Sequence, residues 1–223
     1  MMGRSHLIAG ACALEHVYVA NMLINRADII PLTMLQHAVQ SYLKVGELSV
    51  FTVPACLGAY FLGNLLPDID NPNSILGRIV HVPVEHRTWL HAIYLYLVIG
   101  ALRWLQPLLA LGFNKLEGLH SILAACHPVF ALILTVIGWI SPVSAWLFFG
   151  VIVHLFWDSL SACGNCWFYK LLSDYYEYPN GAKIKKGHKL KLYHAGEWSE
   201  YLLLFIIVAV TVISFIWVRK MAL

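Results

Sequence analysis

The feature that most limits the fold is a series of apolar runs long enough to cross the ~30 Å hydrocarbon core of a bilayer. The cleanest is Tyr201–Val218, which contains no charged residue. The candidate spans are 7–23, 50–66, 89–111, 119–140, 143–160 and 200–218, the first interrupted by Glu15 and His16. Charged residues make up 12% of the chain and hydrophobic residues 60%. Ordinary soluble domains carry about a quarter charged residues, so a soluble fold is excluded. The net charge of +3 is too small, and too scattered, for a nucleic-acid footprint, and no nucleic acid is expected as a partner. The N-terminal run has Arg4 but no small-residue cleavage site, and it reads as part of the domain, not as a signal peptide. These features predict an all-α, polytopic membrane bundle forming a single domain over residues 1–223.

Three polar stretches separate the runs: 24–49, 67–88 and 161–199. The last two carry or adjoin most of the chemistry. Leu65-Leu66-Pro67-Asp68-Ile69-Asp70-Asn71-Pro72 places two carboxylates on a tight turn at the end of an apolar segment. Charge at a membrane boundary is costly, and two carboxylates there can aim at one cation. His86-Arg87-Thr88-Trp89-Leu90-His91 opens the next apolar segment. Its histidines offer imidazole nitrogens, and Arg87 can meet a phosphate or carboxylate. His154 and Asp158 stand four apart near the end of a third segment, on one face of a helix. His6 opens the first segment and Glu200 the last. Read singly, each cluster also fits a solvated helix end, an interfacial pair or a private His–Asp bond. Together they make a nitrogen and oxygen donor set suited to zinc, manganese or iron, as one ion or two.

At these residues the chain resembles the YdjM-like family of inner-membrane-associated metal-dependent hydrolases. The Leu-Leu-Pro-Asp-Ile-Asp run continues with Pro72, Ser74, Leu76 and Gly77 as that family's signature does. His86, Arg87 and His91 match its next block in spacing, with Thr88, Leu90 and Ala92 replacing Gly, Thr and Ser. His154, Asp158 and Gly164 match a later block, with Ser161 in place of Thr. His6 aligns with an N-terminal histidine, and Gly196 with Glu200 matches a late Gly-x-x-x-Glu. The resemblance implies a phospholipase-like hydrolase of the bacterial inner membrane, with a membrane lipid as substrate.

A single site requires all clusters on one side of the membrane. An even number of crossings must then separate His91 from Asp158, yet three apolar segments lie between them. One segment is therefore expected to be re-entrant or interfacial, and Arg103 with the prolines at 107, 128 and 142 marks this stretch. About five crossings remain. The site side then holds Arg4, Arg78, Arg87, Lys170, Lys183, Lys185, Lys186, Lys189 and Lys191, and the other side Arg26, Lys44, Lys115, Arg219 and Lys220. The positive-inside rule puts the site at the cytoplasmic face.

The remaining features are weaker. Cys163 and Cys166 have redox or zinc spacing without a second pair. The Lys183–Lys191 cluster fits either anionic lipid headgroups or a plain topogenic loop. The reading that follows is a metal-dependent hydrolase of a lipid ester or phosphoester. Its metal ligands are His6, Asp68, Asp70, His86, His91, His154 and Asp158, with Arg87 and Glu200 as catalytic groups. The alternatives are a metal or proton transporter, or a silent membrane component holding a structural metal.

Overall fold

The computed structural model describes residues 3–27, 52–80, 82–84, 89–116, 120–161, 167, 175–177, 183–185 and 190–222. Five long helices dominate them: α1 (Gly3–Ala27), α2 (Thr52–Leu65), α3 (Ile93–Leu116), α4 (His120–Ser159) and α5 (Trp198–Ala222). Two single-turn 3-10 helices, Leu66–Asp70 and Trp89–His91, flank the loop between α2 and α3. Among the described residues, the helices that are long and apolar enough to cross a membrane are Ile140–Ser159 within α4 and Trp198–Val218 within α5. The α2 helix is 14 residues long, about 21 Å. It passes directly into the 3-10 turn at Leu66, with Pro67, which has no N–H to donate, in that turn's first positions.

The apolar stretches 119–140 and 143–160 do not form two segments. They are one 40-residue helix with Pro128 and Pro142 inside it. A proline removes one backbone hydrogen bond, and in an apolar helix its neighbours can compensate. Around Pro142 the Ser144 hydroxyl donates to the Ser141 carbonyl at 2.8 Å. The Arg103 guanidinium of α3 donates to Ser141 Oγ at 3.1 Å, and that hydroxyl donates to the Arg103 carbonyl at 3.0 Å. The separate re-entrant helix expected between His91 and Asp158 is thus corrected. Two helices, α3 leading away and α4 returning, bring the two residues to the same end of the bundle.

The expectation of a purely helical chain also needs a small amendment. Tyr175–Glu177 and Lys183–Lys185 pair as a two-stranded antiparallel hairpin in the long polar segment. The strands flank Pro179-Asn180-Gly181, which lies outside the described residues.

The core is the α2–α4 contact, with α3 on the far side of α4 and α1 against α5. Its closeness comes from two glycines. A Cβ at Gly63 would collide with the Leu147 carbonyl oxygen, and one at Gly150 with the Tyr60 carbonyl oxygen. Small residues let membrane helices approach backbone to backbone. The Tyr60 hydroxyl donates to the Gly10 carbonyl at 2.8 Å and ties α1 to α2. Beyond α4 the segment 190–193 runs parallel beside the helix end, with Leu190 N–H donating to the Ser159 carbonyl and Leu192 N–H to the Leu160 carbonyl. Tyr193 packs with Ala9 and Leu160. The starts of α1, α3 and α5 and the ends of α2 and α4 therefore gather at one end.

Candidate metal centre

His6, Asp68, His154 and Asp158 converge at that end. Each offers a ligand atom within 4.8 Å of the others, and all four are buried. They come from the first turns of α1, the 3-10 turn after α2, and the last two turns of α4. His6 Nε2 lies 3.4 Å from Asp158 Oδ1 and 3.9 Å from Asp68 Oδ2. His154 Nε2 lies 3.6 Å from Asp158 Oδ2 and 3.7 Å from Asp68 Oδ1. The two imidazoles stack with centroids 3.8 Å apart. His91 adds a third imidazole, its Nε2 3.3 Å from Asp158 Oδ2 and 3.6 Å from Asp68 Oδ1. Its Nδ1 faces Asp70 Oδ2 at 3.9 Å.

These separations exceed the 2.7–3.2 Å of an N–H···O bond. Four atoms held tetrahedrally at 2.0–2.2 Å around an ion lie roughly 3.3–3.6 Å apart. The four donors here stand within 4.8 Å of one another, so a small inward shift brings them to one ion. Both ring nitrogens of His6 and Nε2 of His154 are buried without a hydrogen bond. Such orphaned donors and acceptors are costly in a protein interior unless something meets them. His154 Nδ1 sits 2.7 Å from the Asn64 carbonyl oxygen, and since a carbonyl only accepts, that nitrogen carries the proton. Nε2 is then the lone-pair nitrogen, aimed into the cluster, as in metal-ligating histidines oriented by a backbone carbonyl. Two carboxylates also balance the charge of one divalent ion. The donor set therefore fits a divalent metal.

Burial alone would push the Asp68 carboxyl up, but the imidazoles of His154, His91 and His6 outweigh it and hold it well below the usual carboxylate range. Burial opposes charge on His91, yet Asp158 and Asp68 prevail and raise it to about 9.

The loop after α2 is braced from within. Ser74 Oγ donates to the Asp68 carbonyl at 2.7 Å and accepts the Gly77 N–H at 2.8 Å. A Cβ at Gly77 would collide with the Asn71 carbonyl oxygen. At the end of α4 the Ser161 hydroxyl donates to the Asp158 carbonyl at 2.7 Å. The 3-10 turn holding His91 is pinned by Tyr96, whose hydroxyl donates to the Leu90 carbonyl at 2.7 Å.

Of the residues singled out in the sequence, His6, Asp68, His91, His154 and Asp158 meet, while Asp70 lies behind His91 and outside the converging four. Glu200 is fully buried in the first turn of α5, where Oε2 accepts the Gly196 N–H at 2.6 Å. That is the reach-back of a helix cap, with Gly196 at a φ of +80° that suits glycine. His86 and Arg87, like Cys163, Gly164 and Cys166, lie outside the described residues. Sequence reasoning missed Asn64 and Tyr60. Asn64 acts through its backbone carbonyl, and only its place one turn before Asp68 hinted at proximity.

Residues 1–223 match the family model described as YdjM inner membrane protein, and the chain belongs to that family. No curated protein and no solved structure matches the chain.

Proposed function

We propose that this member of the YdjM inner membrane protein family is a divalent-metal-dependent hydrolase of an ester or phosphoester in a membrane lipid. The observation that carries the reading is the buried meeting of His6, Asp68, His154 and Asp158 at metal-ligand spacing. Zinc suits the donors best, and manganese or iron accept the same set. Such an ion supplies Lewis-acid polarisation and a water of lowered pKa.

The chain's own residues divide the remaining work. Asn64 holds His154 in the tautomer that leaves Nε2 free to ligate. His91 turns one nitrogen to the cluster and the other to Asp70, which orients it. Arg87, four residues before His91 in sequence, brings a guanidinium for the charge of a phosphate or oxyanion. Glu200, at the start of α5, is the reserve group for proton transfer.

With all five helices crossing, α1, α3 and α5 leave the site end and α2 and α4 return to it. The larger share of Lys and Arg then lies on the site side, which assigns it to the cytoplasmic face. Transporter ligands are expected near the bilayer midplane. Here every ligand stands at or beyond a helix end, which favours a surface enzyme whose lipid stays in its leaflet.

Elemental mass spectrometry on detergent-purified protein tests the reading. Wild type is expected to hold one to two equivalents of metal, and Asp158→Ala and His154→Ala less than about a tenth of that. Metal-loaded protein is then expected to hydrolyse phospholipid in mixed micelles. Metal absent from wild type, or retained by both variants, overturns the proposal.

A further inference from the structure

Beside the metal cluster lies a cavity of about 450 Å³, within the range of small-molecule sites. Its walls include Ala13 and His16 of α1, Val153 and Trp157 of α4, and Ile206 and Ile207 of α5, with Trp167 from the loop after α4. His16 is the one ionisable residue among them, and its Nδ1 is tied to the Cys12 carbonyl at 2.7 Å. Two of the three wall helices are those long and apolar enough to span the bilayer. The cavity thus lies where the surrounding medium is hydrocarbon, and an apolar space of this kind disfavours water.

Its position relative to the site is specific. Val153 and Trp157 immediately precede His154 and Asp158, so two turns of α4 present one face to the cluster and the adjacent face to the cavity. Ala13 stands two helical turns from His6 on α1, about 10 Å along the axis. Trp167 is fixed in place: its indole N–H donates to Ser159 Oγ at 2.7 Å, and its carbonyl accepts the Ile93 N–H at 2.9 Å. The wall is therefore built in advance of any ligand.

We propose that this cavity binds a hydrocarbon chain of a membrane lipid, placing the lipid's polar end at the metal cluster. Its description as the substrate's chain rests on the hydrolase reading; the chain site itself does not.

The test uses the full chain in nanodiscs containing a phospholipid with a diazirine in one acyl chain. Photolabelling is mapped by residue-resolved mass spectrometry, with metal content measured on the same samples. Outward-facing Phe205 and Ile213, 71% and 66% exposed, report ordinary surrounding lipid. Wild type is expected to be labelled at Val153 and Trp157. Ala13→Trp, and independently Ile207→Trp, should cut that labelling at least fivefold while leaving Phe205, Ile213 and metal content unchanged. Asp158→Asn should lose metal and keep the labelling. Labelling of Val153 and Trp157 that is absent in wild type, or unaffected in both tryptophan variants, overturns the chain site even where metal is bound. Wild type that lacks metal yet shows the tryptophan-sensitive labelling overturns the hydrolase reading alone.

Discussion

The two nitrogens of His154 have different partners, and the difference sets what the residue can do. Nδ1 is committed to the Asn64 carbonyl, while Nε2 faces Asp68 and Asp158. Asp158 stands near both His6 and His91 as well, so it contacts more of the cluster than Asp70 does. Graded effects follow. Asp158→Ala removes a ligand and is expected to abolish metal binding, whereas Asp70→Ala removes the carboxylate behind His91 and should weaken affinity about 10–100-fold. Competition with a calibrated zinc chelator measures both, and equal losses would contradict the division. Ser161→Thr keeps the hydroxyl bonded to the Asp158 carbonyl and should leave stability unchanged. Ser161→Ala loses that bond, at a cost of about 0.5–1.5 kcal/mol read from unfolding in detergent. Along the chain, His6, Asp68, His91, His154 and Asp158 are legible as ionisable residues at the ends of apolar segments. The role of Asn64 is not, because it uses a backbone oxygen that every residue type carries.

Helix α4 is the element that departs most from a reading by composition. Pro128 and Pro142 look like interruptions, yet the helix is continuous past both. Local propensity counts the lost backbone bond but not Arg103, Ser141 and Ser144, which supply polar contacts around Pro142 from α3 and from the helix itself. That bonding also accounts for an arginine within an apolar segment. The α2–α4 pair depends on absence of side chain at Gly63 and Gly150. Gly150→Ala is expected to push the helices apart and cost about 1–3 kcal/mol. It should lower the unfolding temperature and, because Asp68 directly follows α2 and α4 carries Asp158, loosen metal binding too. Normal stability and metal affinity in this variant would show that the close approach is dispensable.

For the molecule as a whole, the gathering of five helix ends makes one pole of the bundle chemically distinct. Five crossings would place Ile79 and Leu190 on the cytoplasmic side and Lys220 opposite. All three positions are exposed. Single cysteines there, in a background without the native cysteines, should react with a membrane-impermeant maleimide accordingly: Ile79→Cys and Leu190→Cys in inverted vesicles, Lys220→Cys in right-side-out ones. Labelling of all three from one side would rule out a crossing by α5. The helical membrane architecture could be read along the chain because apolar run length and helical spacing are local properties. So could the kinds of ligand, because charged groups at the ends of apolar segments stand out wherever they are folded. Which of them share a site could not. His6 and Asp158 lie on different helices, 152 positions apart in the sequence, and their approach to 3.4 Å depends on the close glycine contact of α2 with α4, the antiparallel return of α3 and α4, and the Tyr60 bond that holds α1 against α2. Those are packing distances between elements, and no local pattern in the chain encodes them.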